Sequence, residues 1–138
     1  MSNTCVLDAC ALIAMLHHEP GADAVFDVLA ASTRQGHGVL MHRVNLLEVY
    51  YDAYRRGGAA HAKQLMQIIR RSRIVIVSTL DDTVFEHVGR LKTLYRLSLA
   101  DTIALATALL HDATLVTGDH HEMDIIEKQE PIRFHWFR

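Results

Sequence analysis

The sequence predicts a three-layer α/β/α sandwich around a central, mainly parallel sheet of four to five strands. Three observations lead there. Short β-branched runs alternate with helical stretches along the whole chain, which favours an open sheet covered by helices on both sides. One run, Ile74-Val75-Ile76-Val77, has four consecutive β-branched residues, a composition suited to a parallel strand covered on both faces. Carboxylates stand just beyond several of the runs, where an open parallel sheet opens its ligand crevice.

The elements follow in order. Thr4 to Leu7 reads as a buried strand ending at Asp8, and a helix from Ala9 to His18 is closed by Glu19-Pro20-Gly21. A second helix covers Asp23 to Arg34, and Gly36 and Gly38 mark a loop before the strand Val39 to Met41. Leu46, Leu47, Val49, Tyr50 and Tyr54 then repeat near the 3.6-residue period up to Gly57-Gly58, with another helix from Ala59 to Arg71. After Ile74–Val77, Asp81 or Asp82 caps a helix running to Tyr95. An apolar helix from Ala100 to Leu110, which should be buried, precedes a fourth strand, Thr114 to Thr117. Gly118-Asp119 turns the chain, and Ile132 to Phe134 is a possible fifth strand after Pro131.

At 138 residues the chain fits one domain, 1–138, and half of its residues are apolar, the globular range. The apolar runs are too short for the ~20 residues that span a bilayer. The first Lys or Arg is Arg34, so no export segment is expected, and the cytoplasm is the default location. Cys5 and Cys10 read as core residues, because two cysteines with this spacing make neither a disulfide framework nor a zinc site. The ten histidines include no H-x-x-x-H helix, and the pairs His17-His18 and His120-His121 point apart on a helix.

The net charge of −2 hides a segregated distribution. Residues 1–33 carry −4, residues 34–96 carry +6 and residues 97–138 carry −4. The basic middle, with Arg55, Arg56, Lys63, Arg70, Arg71 and Arg73, can lie along a polyanion or form solvated helix faces.

Asp8, Glu48, Asp101 and Asp119 are the candidate chemistry. Asp8 follows the first strand, Glu48 lies in the helix after the second, Asp101 begins the helix before the fourth, and Asp119 stands just beyond the fourth. Each also has a purely structural reading. Asp8 can cap its helix, Ser98-Leu99-Ala100-Asp101 fits a capping box, Gly118-Asp119 is a turn pair, and Glu48 can be a solvated helix residue. Together they ask for more. Asp101 heads an apolar helix, and no Lys or Arg lies between Arg96 and Lys128, so a buried carboxylate there lacks a basic partner nearby in sequence. Two carboxylates about 4 Å apart repel by roughly 4 kcal/mol at an effective dielectric near 20. A divalent cation relieves that repulsion, and an all-oxygen ligand set favours Mg²⁺ or Mn²⁺ and a phosphate-ester substrate.

Four pieces in order carry a family resemblance: Val6-Leu7-Asp8-Ala9-Cys10-Ala11-Leu12-Ile13, Asn45-Leu46-Leu47-Glu48-Val49, Leu97 to Ala108 around Asp101, and Leu115-Val116-Thr117-Gly118-Asp119. The chain resembles the PIN-domain ribonucleases across its length, and in size and layout the toxin subunit of VapBC-type toxin–antitoxin pairs. The resemblance implies a PIN-like fold and metal-dependent endoribonuclease activity on single-stranded or loop RNA. It also implies a homodimer and a small cognate antitoxin. On the site, it implies Asp8, Glu48, Asp101 and Asp119 as metal-binding carboxylates, Thr117 as a polar neighbour, Asn45 as a second-shell partner of Glu48, and Asp124 as an extra acid. The stretch His120-His121-Glu122 departs from the family, where many relatives carry a basic or aromatic residue.

Other readings fit less well. A haloacid-dehalogenase-type phosphatase needs D-x-D, and Asp8-Ala9-Cys10 lacks the second acid. A response-regulator receiver needs a late Lys at the crevice, and Lys128 lies beyond the fourth strand. A catalytically silent PIN-like domain that binds RNA or protein remains the principal alternative.

Overall fold

A computed structural model describes residues 3–138; Met1 and Ser2, at the start of the expected domain, lie outside the described residues. Five strands form one sheet: β1 (Cys5–Leu7), β2 (Val39–His42), β3 (Ile74–Val77), β4 (Thr114–Thr117) and β5 (Arg133–Trp136). All four pairings are parallel, in the order β3-β2-β1-β4-β5. The strand order reverses beside β1, so the crevice of this sheet opens between the carboxyl ends of β1 and β4.

Among the described residues, six helical elements cover the sheet: α1 (Ala9–Leu16), α2 (Ala22–Gln35), α3 (Arg43–Arg70), α4 (Asp82–Leu94), α5 (Leu99–Leu110) and α6 (His120–Gln129). Successive strand residues point to opposite faces, and the core divides accordingly. Leu7 and Val116 pack with residues of α1, α2 and α3. Val6 and Leu115 pack with residues of α4, α5 and α6. The two cores define the expected three layers.

The two helices foreseen around Gly57-Gly58 both lie within α3 and meet at a break at Gly58, whose non-helical φ of 85° and ψ of −179° suit glycine. Other details differ from expectation. The strand Ile74–Val77 is an edge, and Val75 is 53% exposed, so its β-branched run reflects strand propensity rather than cover on both faces. Helix α6 occupies a stretch expected to be only a turn and a connection. Its apolar positions are few, but Met123 and Ile126, three residues apart, are buried. Helix α5 is buried from Thr102 to Ala108, as its composition requires. No helix among the described residues is long and apolar enough to cross a membrane.

Candidate metal centre

The crevice between β1 and β4 is built from the amino ends of three helices. Asp8 leaves β1 and caps α1, its Oδ1 accepting from Ala11 N–H at 2.8 Å. Ser98 caps α5 by accepting from Asp101 N–H at 3.1 Å, which puts Asp101 in the first turn. Asp119 follows β4 and caps α6, accepting from Glu122 N–H at 3.4 Å. The capping readings of Asp8 and of Ser98 ahead of Asp101 are therefore correct, and Asp119 caps a helix where only a turn pair was expected; caps coexist with clustering, because a cap engages one carboxylate oxygen and leaves the other. The positive ends of three helix dipoles meet the same acids and favour negative charge there.

Two of the four expected carboxylates, Asp101 and Asp119, meet with Glu122, and Asp8 and Glu48 stand near enough for their charges to be felt. Asp101, Asp119 and Glu122 each present an oxygen within 4.8 Å of the others. Asp8 lies in the electrostatic field of Asp119 and Glu48, and Asp101 in that of Asp8. Glu48 reaches in from α3, feels the charge of Glu122, and accepts from the Tyr51 hydroxyl at 3.2 Å.

Crowding and burial disturb the titration of these acids. Asp8 is 1% exposed, and burial pushes its carboxyl up to about 6 against the pull of Thr117 and Ala11 N–H, with the charges of Asp119 and Glu48 adding to the rise. Burial, then the facing Glu122 carboxylate and the Asp8 charge, push Asp101 up to about 8. The same contact holds Glu122 below the usual carboxylate range; Asp101 thus keeps the proton and donates toward Glu122. Burial likewise raises Glu48, with Tyr51 opposing.

Asp8 Oδ2 is the most telling atom: it is buried and has no hydrogen-bond partner. Buried Thr117 stands close enough to lower the Asp8 carboxyl without completing a hydrogen bond to Oδ2, and its Oγ1 accepts from Asp119 N–H at 3.2 Å. A buried carboxylate oxygen without a donor is costly, and among oxygen ligands a hard divalent cation fits it. Asp8, Asp101, Asp119 and Glu122 could hold such an ion, with Glu48 closing the α3 side.

The remaining expectations fare differently. Asn45 is fully buried one turn before Glu48, but neither its Nδ2 nor its Oδ1 makes a hydrogen bond, so Tyr51 is the partner that Glu48 has. Asp124 stays out of the cluster and pairs with His120 Nδ1 at 2.8 Å on the exposed side of α6. Glu122 takes the place expected for it. Asp119-His120-His121-Glu122 has the D-x-x-E spacing of a capping box, a signal that would have started a helix at His120 and turned Glu122 toward Asp119. A cavity of about 630 Å³ is lined by Leu46, Leu47, Tyr50, Met66, Ile76 and Leu80 among others, none of them an acid.

The family model of the PIN domain matches residues 5–128, which takes in every residue of the cluster. No curated protein sequence matches the chain. Among solved structures, it is similar to VapBC2 from Rickettsia felis bound to a promoter DNA fragment, with TM-score 0.73 and 17% identity over 96% of this chain and 97% of that one. It is also similar to VapBC-1 from nontypeable Haemophilus influenzae, with TM-score 0.73 and 15% identity over 97% and 98%. A third is VapC20 from Mycobacterium tuberculosis, a sarcin-ricin loop cleaving toxin, with TM-score 0.63 and 13% identity over 80% and 86%. At these identities the likeness concerns the fold.

Proposed function

The chain belongs to the PIN-domain family, and from that premise we propose that it is a Mg²⁺- or Mn²⁺-dependent endoribonuclease, acting as the toxin of a VapBC-type pair. In this reading it is a single-domain cytoplasmic protein that forms a homodimer and is held inactive by a small cognate antitoxin. The similar folds of VapBC complexes support the partner, and the RNA-cleaving VapC20 supports the reaction class.

The observation that carries the proposal is the orphaned Asp8 Oδ2 at the mouth of β1 and β4, faced by acids from three other elements. A bound divalent cation supplies charge neutralisation and Lewis acidity toward a phosphodiester. The chain's own residues do the rest. Asp8 anchors the centre from the strand end, where Ala11 N–H fixes its other oxygen. Asp101 and Glu122 would both serve as ligands, and a bound cation would favour the ionised form of Asp101. Tyr51 orients Glu48, and buried Thr117 holds the Gly118–Asp119 turn through Asp119 N–H.

The test is cleavage of mixed RNA by the pure protein in Mg²⁺, Mn²⁺ or EDTA, beside Asp8→Asn and Asp101→Asn. Cleavage with metal alone, falling to background in both variants, is the expected result. Cleavage in EDTA, or by both variants at the parent rate, would refute it. RNA binding without cleavage under every condition would favour the silent binding domain instead.

A further inference from the structure

A site made of five acids repels the polyanion it is proposed to cut, so a cation beside it must receive the nucleic-acid backbone. Arg138 is placed for that. Its Nη2 lies 3.4 Å from Cys10 Sγ, and the Cys10 thiol feels the charges of Asp8, Asp119 and Arg138 together. A Cβ built on Gly118, the residue before Asp119, would sit 2.9 Å from Arg138 Nε and 3.0 Å from its Cγ. The guanidinium thus lies against the turn that presents Asp119 and against Cys10, two residues beyond the helix cap made by Asp8.

The backbone that delivers this side chain is fixed from several directions. Phe137 is buried, and its N–H donates to Thr117 O at 3.2 Å. A Cβ at Gly21 would stand 2.4 Å from Phe137 O, and one at Gly118 2.7 Å from the Phe137 ring, so both glycines admit the segment. His120 lies 2.7 Å from the Arg138 carbonyl through Nε2 and 2.8 Å from Asp124 through Nδ1. Its ring stacks on Trp136 with centroids 4.0 Å apart. Asp124 and His120, which do not join the acidic cluster, thereby position Arg138.

The guanidinium lies over the Phe137 ring at 5.1 Å, a contact of its face that leaves the N–H edge open. Of its five donors, one meets a thiol, a weak acceptor, and Glu19 Oε1 is 3.6 Å from Nη1. Glu19 is shared with Arg56 at 3.8 Å, and the Arg138 side chain keeps 38% of its surface exposed. An exposed ion pair of that length adds little to stability, whereas a fork of free N–H donors matches a phosphate. Arg56, beyond Glu19, is paired with Asp52 at 2.9 Å, and Arg55 lies over the ring of exposed Tyr51 at 4.8 Å.

We propose that Arg138 is a substrate-binding residue, its guanidinium gripping a backbone phosphate of single-stranded RNA on the Cys10–Gly118 side of the acidic cluster. This rests on the nuclease reading above. The experiment measures binding of a fluorescein-labelled mixed-sequence single-stranded RNA to the full chain in the non-cleaving Asp101→Asn background, across a salt series, with Arg138→Gln, Arg138→Lys and Glu19→Gln added singly. Arg138→Gln should weaken binding about tenfold and flatten the slope of log K against log salt by about 0.7, the value for one phosphate contact on a single strand. Arg138→Lys should restore the slope, and Glu19→Gln, which frees the guanidinium, should bind at least as tightly as the parent. Parental affinity and slope in Arg138→Gln would overturn the proposal. So would Glu19→Gln matching the loss in Arg138→Gln, because the ion pair would then be structural. Cleavage by the Asp101→Asn protein at the parent rate fails the acidic-centre mechanism separately, and absence of RNA binding by the parent fails both.

Discussion

The Tyr51 hydroxyl donates to Glu48 Oε2 at 3.2 Å across one turn of α3. That bond opposes the rise that burial imposes on the Glu48 carboxyl. Tyr51→Phe removes it, so the acid limb of the kcat/KM profile for RNA cleavage should move to higher pH. The lost bond is worth ~1 kcal/mol, or about fivefold in kcat/KM. A profile superimposing on the parent's would show that Tyr51 does not act through Glu48.

Proton linkage at the cluster gives the metal-free protein a characteristic pH dependence. Asp8 is raised to about 6 and Asp101 to about 8 from 3.8. The unfolded chain loses those protons first as pH rises, so the stability they contribute is complete below 3.8 and is lost as pH rises through 6 and then 8. Thermal melting in EDTA should therefore show a falling Tm from pH 5 to pH 9. Asp101→Asn should flatten the upper part of that fall. Mg²⁺ or Mn²⁺ should raise the parent's Tm more at pH 8.5 than at pH 6, because binding must displace fewer protons.

Glu122 and Asp124 lie two residues apart on α6 and have opposite surroundings, one against Asp101 and Asp119, the other against His120. Glu122→Gln should reduce metal-dependent cleavage by about 10- to 100-fold. Asp124→Asn should leave the affinity for Mn²⁺, followed by isothermal titration, close to the parent's. Equal losses of Mn²⁺ affinity in the two variants would contradict this division.

His42 is 2% exposed and spans two elements. Its Nδ1 accepts from Val44 N–H at 3.1 Å, capping α3, so Nε2 carries the hydrogen and donates to Thr79 O at 3.1 Å. His42→Ala loses the cap and leaves the Thr79 carbonyl without this donor, costing about 1–2 kcal/mol in urea unfolding. His42→Asn, a good cap too short to reach Thr79, should recover about half of that.

The pattern of short strands and helices was legible in the sequence because hydrophobic period and turn residues are local signals. Helix α6 was not, since its buried face is only Met123 and Ile126. Of the site, Asp8, Glu48, Asp101 and Asp119 were legible as acids stranded beside apolar runs. Glu122 was hidden among His120, His121 and Asp124, where composition reads as a solvated stretch.

Local sequence sufficed for every strand, for all helices but α6 and for the acids beside them, because propensity, capping and periodicity act over a few residues. Tertiary packing was needed for the strand order that brings β1 beside β4, the turning of Glu122 inward and Asp124 outward, and the return of Arg138 to Cys10. Those depend on contacts between residues as many as 128 positions apart, and parallel pairing of buried strands selects them through packing that no local stretch encodes.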